Sequence, residues 1–180
     1  RASAGYFIAN NNTMKIQKID KHAGMTIAGG VADAQNVTDM LRYHSNIHRI
    51  EKQEYLPIKS IARLASLIFF QNRYYPFIVD ILVGGYDNLG PSLYNIDMFG
   101  SLDKKTFVTT GSGSPVAYGL LESEYRDGLT VEEGKVIALR AVKAAITRNI
   151  GTGDGINVAI IDQKGFRLLT KEQKKAIITL

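Results

Sequence analysis

The stretch Met25-Thr26-Ile27-Ala28-Gly29-Gly30-Val31-Ala32-Asp33-Ala34-Gln35 decides the fold of this chain. Its first half completes a short strand, predicted from Ala23 to Ala28, that ends at the glycine pair. Beyond the pair, apolar residues recur at helical spacing, which predicts a long amphipathic helix from Asp33 to Glu54. The chain therefore passes from a strand, through two glycines, into a long helix.

The same kind of periodicity places further elements on both sides of this stretch. Alternating polar and apolar residues predict a strand from Thr13 to Ile19. A capping box of Thr130 with Glu133 predicts a helix that runs to about Arg148. Further helices are predicted from Pro57 to Asn72 and from Pro115 to Tyr125, and further strands from Phe77 to Val83, Ser92 to Asp97, Thr106 to Thr110, Ile156 to Ile161 and Phe166 to Leu169.

The order of these elements is strands, two helices, strands, two helices, strands. Strands do not alternate singly with helices, so a parallel doubly wound sheet is not expected. We expect an α+β fold in which two antiparallel sheets lie between helix pairs on the outer sides. The sequence has no internal repeat, linker or low-complexity tract, and residues 1–180 are predicted to form a single domain.

The composition is that of an ordinary globular protein, with 45% hydrophobic and 22% charged residues. The net charge is +5, but the basic residues are spread along the chain, and no aromatic residues interleave with the longest basic cluster, Lys171 to Lys175, so no nucleic-acid partner is expected. Cysteine is absent, which excludes a thiol nucleophile and is consistent with the cytoplasm. No segment reaches the ~20 apolar residues that cross a bilayer, so no membrane partner is expected.

Two glycine-rich loops need an interpretation. Gly111-Ser112-Gly113-Ser114-Pro115 joins a strand to a helix, which is typical of an anion-binding loop, although the lysine of a P-loop is absent. A tight turn is the plainer interpretation, and a serine hydroxyl in it could still orient a catalytic group. The loop of residues 151–155 precedes a strand rather than a helix, which excludes a dinucleotide site.

A pair of histidines also has two interpretations. His44 and His48 stand four residues apart on a predicted helix and could share a metal ion. The residues between them include no glutamate base of the kind a metalloprotease uses. Partly buried helix histidines are the plainer interpretation, and we predict neither a metal site nor another cofactor.

Lys15 is the most interesting single residue of the chain. Because strand side chains alternate, Lys15 shares one face with Thr13, Gln17 and Ile19. The side chain could simply point to water. If it points inward beside polar groups, it would be available for proton transfer.

Taken together and in this order, these stretches resemble the beta-type subunits of the proteasome core particle, and the general pattern is similar to the archaeal members. The resemblance covers essentially the whole chain. It rests on Arg1-Ala2-Ser3, Lys15, residues 25–35, Gly84-Gly85-Tyr86-Asp87, Gly90-Pro91-Ser92-Leu93-Tyr94, Thr110-Gly111-Ser112-Gly113-Ser114-Pro115, Ala117-Tyr118-Gly119, Thr130 to Glu133 and the hairpin from Val158 to Leu169.

The resemblance implies an N-terminal-nucleophile hydrolase fold, a four-layer sandwich of two sheets between two helix layers. It implies a cytoplasmic particle in which beta subunits form seven-membered rings between rings of alpha subunits. Unfolded protein substrates would be delivered by a regulatory ATPase. Peptide bonds would be cleaved by an N-terminal threonine whose hydroxyl attacks the carbonyl. Its own amine, with an unperturbed pKa of about 7.7 to 8.0, or a bound water would take the proton.

The resemblance also implies roles for individual residues. Lys15 matches the lysine that helps to deprotonate the threonine, and Gly29 matches the glycine whose backbone N–H stabilises the oxyanion. Ser112 matches a serine near the threonine amine, and Ser3 matches a residue that binds the substrate backbone. The remaining matches line an apolar substrate pocket that favours cleavage after hydrophobic residues, and they are Ala2, Thr13, Gln17, Ile27 and Val31.

The sequence departs from the family pattern at two places. It opens on Arg1, so the opening strand and the threonine nucleophile of the family are expected to precede Arg1. Asn149 stands where active members have an aspartate, and Thr152 stands where they have a serine. An asparagine can form hydrogen bonds but cannot offset a lysine charge. Two hypotheses follow: a catalytic threonine endopeptidase, or a non-catalytic beta subunit that supports ring assembly and active neighbours.

Overall fold

The computed structural model describes residues 2–4, 7–10, 14–153, 155–170 and 172–174, the first two ranges by their backbone alone. The elements along the described chain are β1 (Ala2–Ala4), β2 (Phe7–Asn10), β3 (Ile16–Asp20), β4 (Ala23–Gly29), α1 (Val31–Lys52), α2 (Ile58–Gln71), β5 (Val79–Asp87), β6 (Gly90–Ile96), β7 (Leu102–Lys105), α3 (Ser114–Glu124), α4 (Val131–Arg148), β8 (Ala159–Asp162) and β9 (Gly165–Leu168).

The chain divides into two compact units. The sheet unit consists of Lys15–Val108 and Ile161–Phe166, and the helix-pair unit consists of Arg1–Met14, Thr109–Ile160 and Arg167–Leu180. We describe each unit by itself.

A five-stranded antiparallel sheet, in the order β3-β4-β5-β6-β7, forms the frame of the sheet unit. The central ladder pairs Ile27 with Ile81 and Met25 with Val83, and all four of these side chains are buried. Residues between them on the same strands are more exposed, because alternate side chains of a strand point to opposite faces. One face of the sheet is therefore apolar and requires a cover.

Helices α1 and α2 provide this cover. The apolar positions of α2 recur at helical spacing, and Ile58, Ile61, Ala62 and Ala65 are fully buried in the core cluster that also contains the sheet residues. Phe69 completes this face, and its ring centroid lies 5.9 Å from that of Phe77. Residues of β4 and of α1 belong to this same core, so the core packs the two elements against each other.

The helix-pair unit is built around α3 and α4, which pack against each other. Small side chains allow this approach, because Ala117 of α3 and Ala141 and Ala145 of α4 are all buried. Helix α4 begins with a reciprocal capping box: the Thr130 hydroxyl accepts the Glu133 N–H, and the Glu133 carboxylate accepts the Thr130 N–H. Helix α4 ends at Arg148, with Asn149 as its C-cap.

The α+β class, the antiparallel pairing and the four helices of the described chain are confirmed. Helix α1 begins at Val31, earlier than predicted, because Gly30 is itself the N-cap. Strand β2 and strand β1 form a separate two-stranded antiparallel sheet, and β8 with β9 forms another. That residues 1–180 form a single domain stays a prediction.

The strand predicted from Thr106 to Thr110 is wrong. The strand after β6 is β7, Leu102–Lys105, and residues 106–110 follow it without strand structure. A tight turn at Gly100, whose φ is 90°, lets pairing begin at once, and the Asp97 carboxylate accepts the N–H of Ser101 within the turn. This strand carries charged side chains, as edge strands commonly do, so its sequence lacks the apolar alternation that predicts a strand.

Candidate active site

A glycine turn joins β4 to α1 in the sheet unit. Gly29 has φ = 119°, a conformation that side chains rarely allow, and a Cβ there would overlap the carbonyl oxygen of Ile78. The Gly30 N–H donates to that same carbonyl at 2.6 Å, and the Ile78 N–H donates to the Asp33 carboxylate at 2.9 Å. The peptide that follows Gly29 is therefore held against Ile78, and the Asp33 carboxylate holds Ile78 in turn.

Lys15 lies beside this turn. Its carbonyl accepts the N–H of Ile27 at 3.0 Å, which extends by one residue the register that pairs Ile16 with Thr26. Residues opposite each other in a ladder share a face, so Lys15 lies on the face of Ile27, two residues from Gly29 along β4. Lys15 itself is exposed and precedes the first residue of β3.

The two apolar pocket candidates of the sheet unit flank the glycine turn. Ile27, in β4, is 8% exposed and belongs to the core cluster, whereas Val31, the first residue of α1, is 39% exposed. The four-residue step from one to the other crosses Gly29 and Gly30. The turn thus brings Lys15, Ile27, Gly29 and Val31 to one end of the sheet.

Gln17 lies further along the same strand face and contacts helix α1. It pairs with Met25 in the ladder, and its side-chain oxygen accepts a hydrogen bond from the Arg42 guanidinium at 3.2 Å. Arg42 also donates to the Lys18 carbonyl at 2.8 Å. Arg42 was missed at the sequence level, because nothing local indicates that an arginine 25 residues away would reach this strand.

A second group of predicted residues meets in the helix-pair unit. The Ser112 hydroxyl donates to the Asn149 side-chain oxygen at 3.0 Å, and the Thr152 hydroxyl donates to the same oxygen at 3.1 Å. The Asn149 side-chain N–H donates to the Ser112 carbonyl at 2.8 Å. We name Ser112, Asn149 and Thr152 the hydroxyl–amide cluster.

The backbone of two glycines lies close to the side chains of this cluster. A Cβ at Gly113 would lie 2.7 Å from the Thr152 hydroxyl oxygen, and a Cβ at Gly151 would lie 2.8 Å from the Ser112 hydroxyl oxygen. Real Cβ atoms do not approach so closely, so a Cβ at either position would force the neighbouring side chain to shift. Their role was missed at the sequence level, where the glycines indicated only turns. The contact that requires them comes from a segment distant in sequence.

Three further predicted residues belong to the first part of the chain. Ala2 and Ser3 lie in β1, where Ser3 pairs with Ile8, and their side chains are outside the described residues. Thr13 also lies outside the described residues.

The metal alternative for the histidines has no support in the described part of the chain. No group of three or more histidine, aspartate or glutamate residues there is placed to hold a metal ion. The His48 imidazole instead lies 3.6 Å from the Glu54 carboxylate, and His44 is exposed on helix α1.

Within the described residues, no helix is long and apolar enough to cross a membrane.

Comparisons with known proteins show the family of this chain. The profile of the proteasome subunit family matches residues 1–161. The chain is 77% identical over 180 residues to proteasome subunit beta 2 of Nitrosopumilus maritimus, covering all of this chain and 86% of that protein. Proteasome subunit beta 2 of Cenarchaeum symbiosum is 74% identical over the same coverage. Proteasome subunit beta of Methanothermobacter thermautotrophicus is 45% identical over 174 residues, 96% of this chain and 83% of that protein. The chain therefore belongs to the proteasome subunit family as a beta-type member, in a family of proteases whose subunits assemble with one another.

Proposed function

We propose that this chain is a catalytic beta subunit of the proteasome core particle, a threonine-type endopeptidase that hydrolyses peptide bonds of protein substrates. One observation carries the proposal: Lys15 lies opposite Ile27, two residues along β4 from Gly29, whose φ is 119°. This arrangement sets a cation, a rigid backbone N–H and an apolar side chain at one end of a sheet. A hydroxyl that attacks a carbonyl is served by a group that activates it and by an N–H donor for the oxyanion, and the apolar side chain suits a substrate pocket.

The proposed chemistry uses an N-terminal threonine outside these 180 residues as the nucleophile. The Lys15 ammonium stabilises the threonine oxygen as its proton moves to the threonine amine or to a bound water. The oxygen then bonds to the scissile carbonyl carbon, and the Gly29 N–H donates to the oxyanion that forms. The peptide amine leaves with a proton, and water hydrolyses the ester and frees the threonine.

The substrate pocket in this proposal lies around the glycine turn. Ile27 would form its base and Val31 its rim, and the resemblance to the family implies pocket positions for Ala2, Thr13 and Gln17. Aliphatic side chains favour an apolar residue on the amino side of the cleaved bond, since burial of a Val or Leu side chain contributes about 1.5 to 3 kcal/mol. By the same resemblance, Ser3 would hold the substrate backbone, Ser112 would lie near the threonine amine, and Thr152 would supply the hydroxyl of the family's serine.

The proposal extends to the assembly. The subunit occupies a seven-membered ring of beta subunits between rings of alpha subunits, in the cytoplasm, and a regulatory ATPase delivers unfolded proteins. The resemblance to the family supports each of these points. Electron microscopy of the particle purified from cells would test the ring composition, and a ring without this subunit would contradict it.

A second candidate function is a non-catalytic beta subunit that supports ring assembly and active neighbours. Asn149 is the observation that favours it, because an amide has no charge with which to balance a lysine. The two candidates share the fold and the assembly and differ only in chemistry.

Covalent labelling separates the two candidates. The full-length subunit, in its assembled particle, is treated with a peptide epoxyketone, which reacts with a free N-terminal threonine, and its intact mass is measured. We expect a gain of one inhibitor mass on this subunit. An adduct on a partner subunit with none here would establish the non-catalytic candidate.

A matched pair of lysine variants tests the carrying observation. Lys15→Ala should slow adduct formation by about a hundredfold or more, the usual contribution of a positioned proton-transfer group. Lys18→Ala removes another exposed lysine, which lies within β3, and should leave the rate unchanged. Equal rates in both variants would remove Lys15 from the mechanism.

A further inference from the structure

Ile78 is bound through both of its backbone groups to the start of helix α1. Its N–H donates to the Asp33 carboxylate at 2.9 Å, and its carbonyl accepts the Gly30 N–H at 2.6 Å. The Ile78 side chain is 70% exposed, so burial of that side chain contributes little to its placement. Ile78 also precedes Val79, the first residue of β5. The position of the Ile78 backbone therefore depends on these two hydrogen bonds and on the chain that continues into β5.

The start of α1 differs from the start of α4 in the use of its third residue. At α4, the carboxylate of the third residue, Glu133, accepts the N–H of Thr130, the N-cap of the same helix. At α1 the N-cap is Gly30, which has no side chain, and Asp33 is the third residue. The Gly30 N–H donates to the Ile78 carbonyl, and the Asp33 carboxylate accepts the Ile78 N–H. The third residue of α1 thus binds the segment before β5 to the glycine turn.

We infer that Asp33 is a positioning residue, which acts through Ile78 to fix the orientation of the Gly29 backbone N–H. The Ile27 N–H donates to the Lys15 carbonyl, on the β3 side of β4. Because backbone N–H groups alternate in direction along a strand, the Gly29 N–H, two residues further on, faces the same side. The next peptide, between Gly29 and Gly30, is the one that Ile78 holds.

The absence of a side chain at Gly29 makes this orientation easy to lose. Gly29 has φ = 119°, and a glycine can take a wider range of backbone angles than other residues. Its two dihedral angles are the only joints between the peptide that carries its N–H and the peptide that Ile78 holds. A Cβ at Gly30 would lie 3.3 Å from an Asp33 carboxylate oxygen and 3.4 Å from the Ile78 carbonyl oxygen, so these groups lie close together. Loss of the carboxylate would release Ile78 and widen the range of directions of the Gly29 N–H.

The consequence for catalysis rests on the proposed function, in which the Gly29 N–H donates to the oxyanion. A donor that is fixed in advance stabilises the charge that develops in the transition state, whereas the neutral carbonyl of the bound substrate gains less. Asp33 therefore affects kcat and leaves KM little changed. Its effect passes through Ile78 to Gly29.

Two substitutions of Asp33, made in the full-length subunit of the assembled particle, test this inference. Asp33→Ala removes the acceptor, whereas Asp33→Asn keeps an oxygen that can accept the Ile78 N–H. We expect kcat for peptide hydrolysis to fall about tenfold in Asp33→Ala with KM little changed, and to stay within about threefold of the parent in Asp33→Asn. Affinity for a peptide boronate, whose tetrahedral adduct places an oxygen in the oxyanion position, should also fall about tenfold in Asp33→Ala.

Thr130→Ala is the matched control for loss of stability. It removes a capping hydrogen bond from the start of α4, just as Asp33→Ala removes a hydrogen bond at the start of α1. We expect the Tm of the two variants to fall by similar amounts, and kcat of Thr130→Ala to equal that of the parent. An equal loss of kcat in these two variants, or an Asp33→Asn variant as slow as Asp33→Ala, would overturn the inference.

Hydrogen exchange at the Gly30 and Ile78 amides separates the positioning role from the proposed function. It is measured by mass spectrometry with fragmentation that resolves single amides. The Gly30 amide is the more informative, because its own acceptor, the Ile78 carbonyl, is unaltered in Asp33→Ala. We expect exchange at both amides to be about tenfold faster in Asp33→Ala and unchanged in Thr130→Ala.

The two measurements fail independently of each other. If the parent subunit has no peptidase activity, the proposed function fails, and the exchange rates still decide whether Asp33 fixes the glycine turn. Unchanged exchange at Gly30 in Asp33→Ala would contradict the positioning role, whatever the activity of the particle.

Discussion

The glycine turn and the hydroxyl–amide cluster are two ways of building a site. At the turn, Gly29, Gly30 and Ile78 are held by backbone contacts and by the adjoining core of the sheet unit. In the cluster, Ser112, Asn149 and Thr152 are held by side-chain hydrogen bonds in the helix-pair unit. The first has no room for a new side chain, and the second is held by the match between its donors and acceptors.

This difference has a consequence for how each region responds to substitution. Backbone geometry is sensitive to volume, since a single Cβ must displace main-chain atoms. A hydrogen-bonded cluster is sensitive to the identity of each polar atom, since a mismatched donor or acceptor loses its partner. The predictions that follow test each region with the change to which it should respond, from the largest expected effect to the smallest.

The largest effect is expected for Gly29→Ala. The new Cβ would overlap the Ile78 carbonyl oxygen and lie 2.9 Å from the Val79 Cα, at φ = 119°. Strain and overlap together should lower the free energy of unfolding by about 3 kcal/mol or more. Chemical denaturation of the purified subunit measures this change.

Gly90→Ala is the matched control for this variant. Gly90 has φ = 92°, yet a Cβ there would meet nothing within 4 Å, so only the backbone strain remains. We expect a loss of about 1 kcal/mol. Equal losses for the two variants would mean that the close approach of Ile78 contributes nothing.

An intermediate effect is expected for Gly151→Ala in the cluster. Its Cβ would crowd the Ser112 and Asn149 side chains, which must shift and weaken their hydrogen bonds, at a cost of about 1 to 2 kcal/mol. Gly155→Ala, where a Cβ meets nothing within 4 Å, should change stability by less than about 0.5 kcal/mol. Thermal unfolding of both variants measures this difference. Equal stabilities of the two variants would show that the Ser112 and Asn149 side chains can move away from the new Cβ at no cost.

A smaller effect is expected for Asp33→Ala. The Asp33 carboxylate lies in the first turn of α1 and accepts the Ile78 N–H, so its removal loses one hydrogen bond and one favourable helix-dipole interaction. We expect a loss of about 1 kcal/mol in unfolding free energy. Asp39→Ala, on the same helix with an exposed pair to Arg42, should cost less than about 0.5 kcal/mol. A larger loss of stability in Asp39→Ala than in Asp33→Ala would show that the Asp33 carboxylate does not stabilise the turn.

The smallest effect is a pH dependence at the start of α4, the helix whose C-cap is Asn149. The Thr130 backbone N–H, followed by its hydroxyl, hydrogen-bonds the Glu133 carboxylate and lowers its pKa below the ordinary 4.5. A lowered pKa stabilises the fold above the unfolded-state pKa, and this contribution is lost as the pH falls through the folded-state pKa.

Glu133→Gln isolates this contribution, because glutamine keeps an acceptor and does not titrate. Between about pH 6 and about pH 3, the difference in Tm between the parent and Glu133→Gln should shrink as the pH falls. A difference that stays constant would show that the ionised carboxylate adds nothing to the capping box.

Sequence reasoning predicted the local elements well because their causes are local. The periodicity of α2 and the capping box of α4 act over a few residues, and both are seen. The strand expected at Thr106 to Thr110 failed for the opposite reason, since the true edge strand, Leu102–Lys105, is defined by its pairing with β6 and carries charged side chains.

In the candidate site, too, some residues were named from the sequence, whereas their long-range contacts were not. Lys15 and Gly29 were named from the sequence, and the register of β3 with β4 accounts for their proximity. Neither Ile78 nor Arg42 was predicted to contact these strands. Asn149 was read as a missing charge, and its three hydrogen bonds in the cluster could not be read from spacing.

The amino-acid sequence by itself determined the α+β class, the passage from β4 through two glycines into α1, and the residue types available for chemistry. Only the tertiary structure decided that the Asp33 carboxylate would bind Ile78, 45 residues away, and that Ser112 would meet Asn149, 37 residues away. Propensity and periodicity act within a few residues of the chain. Contacts at such separations depend on how helices and strands pack, which no local pattern records.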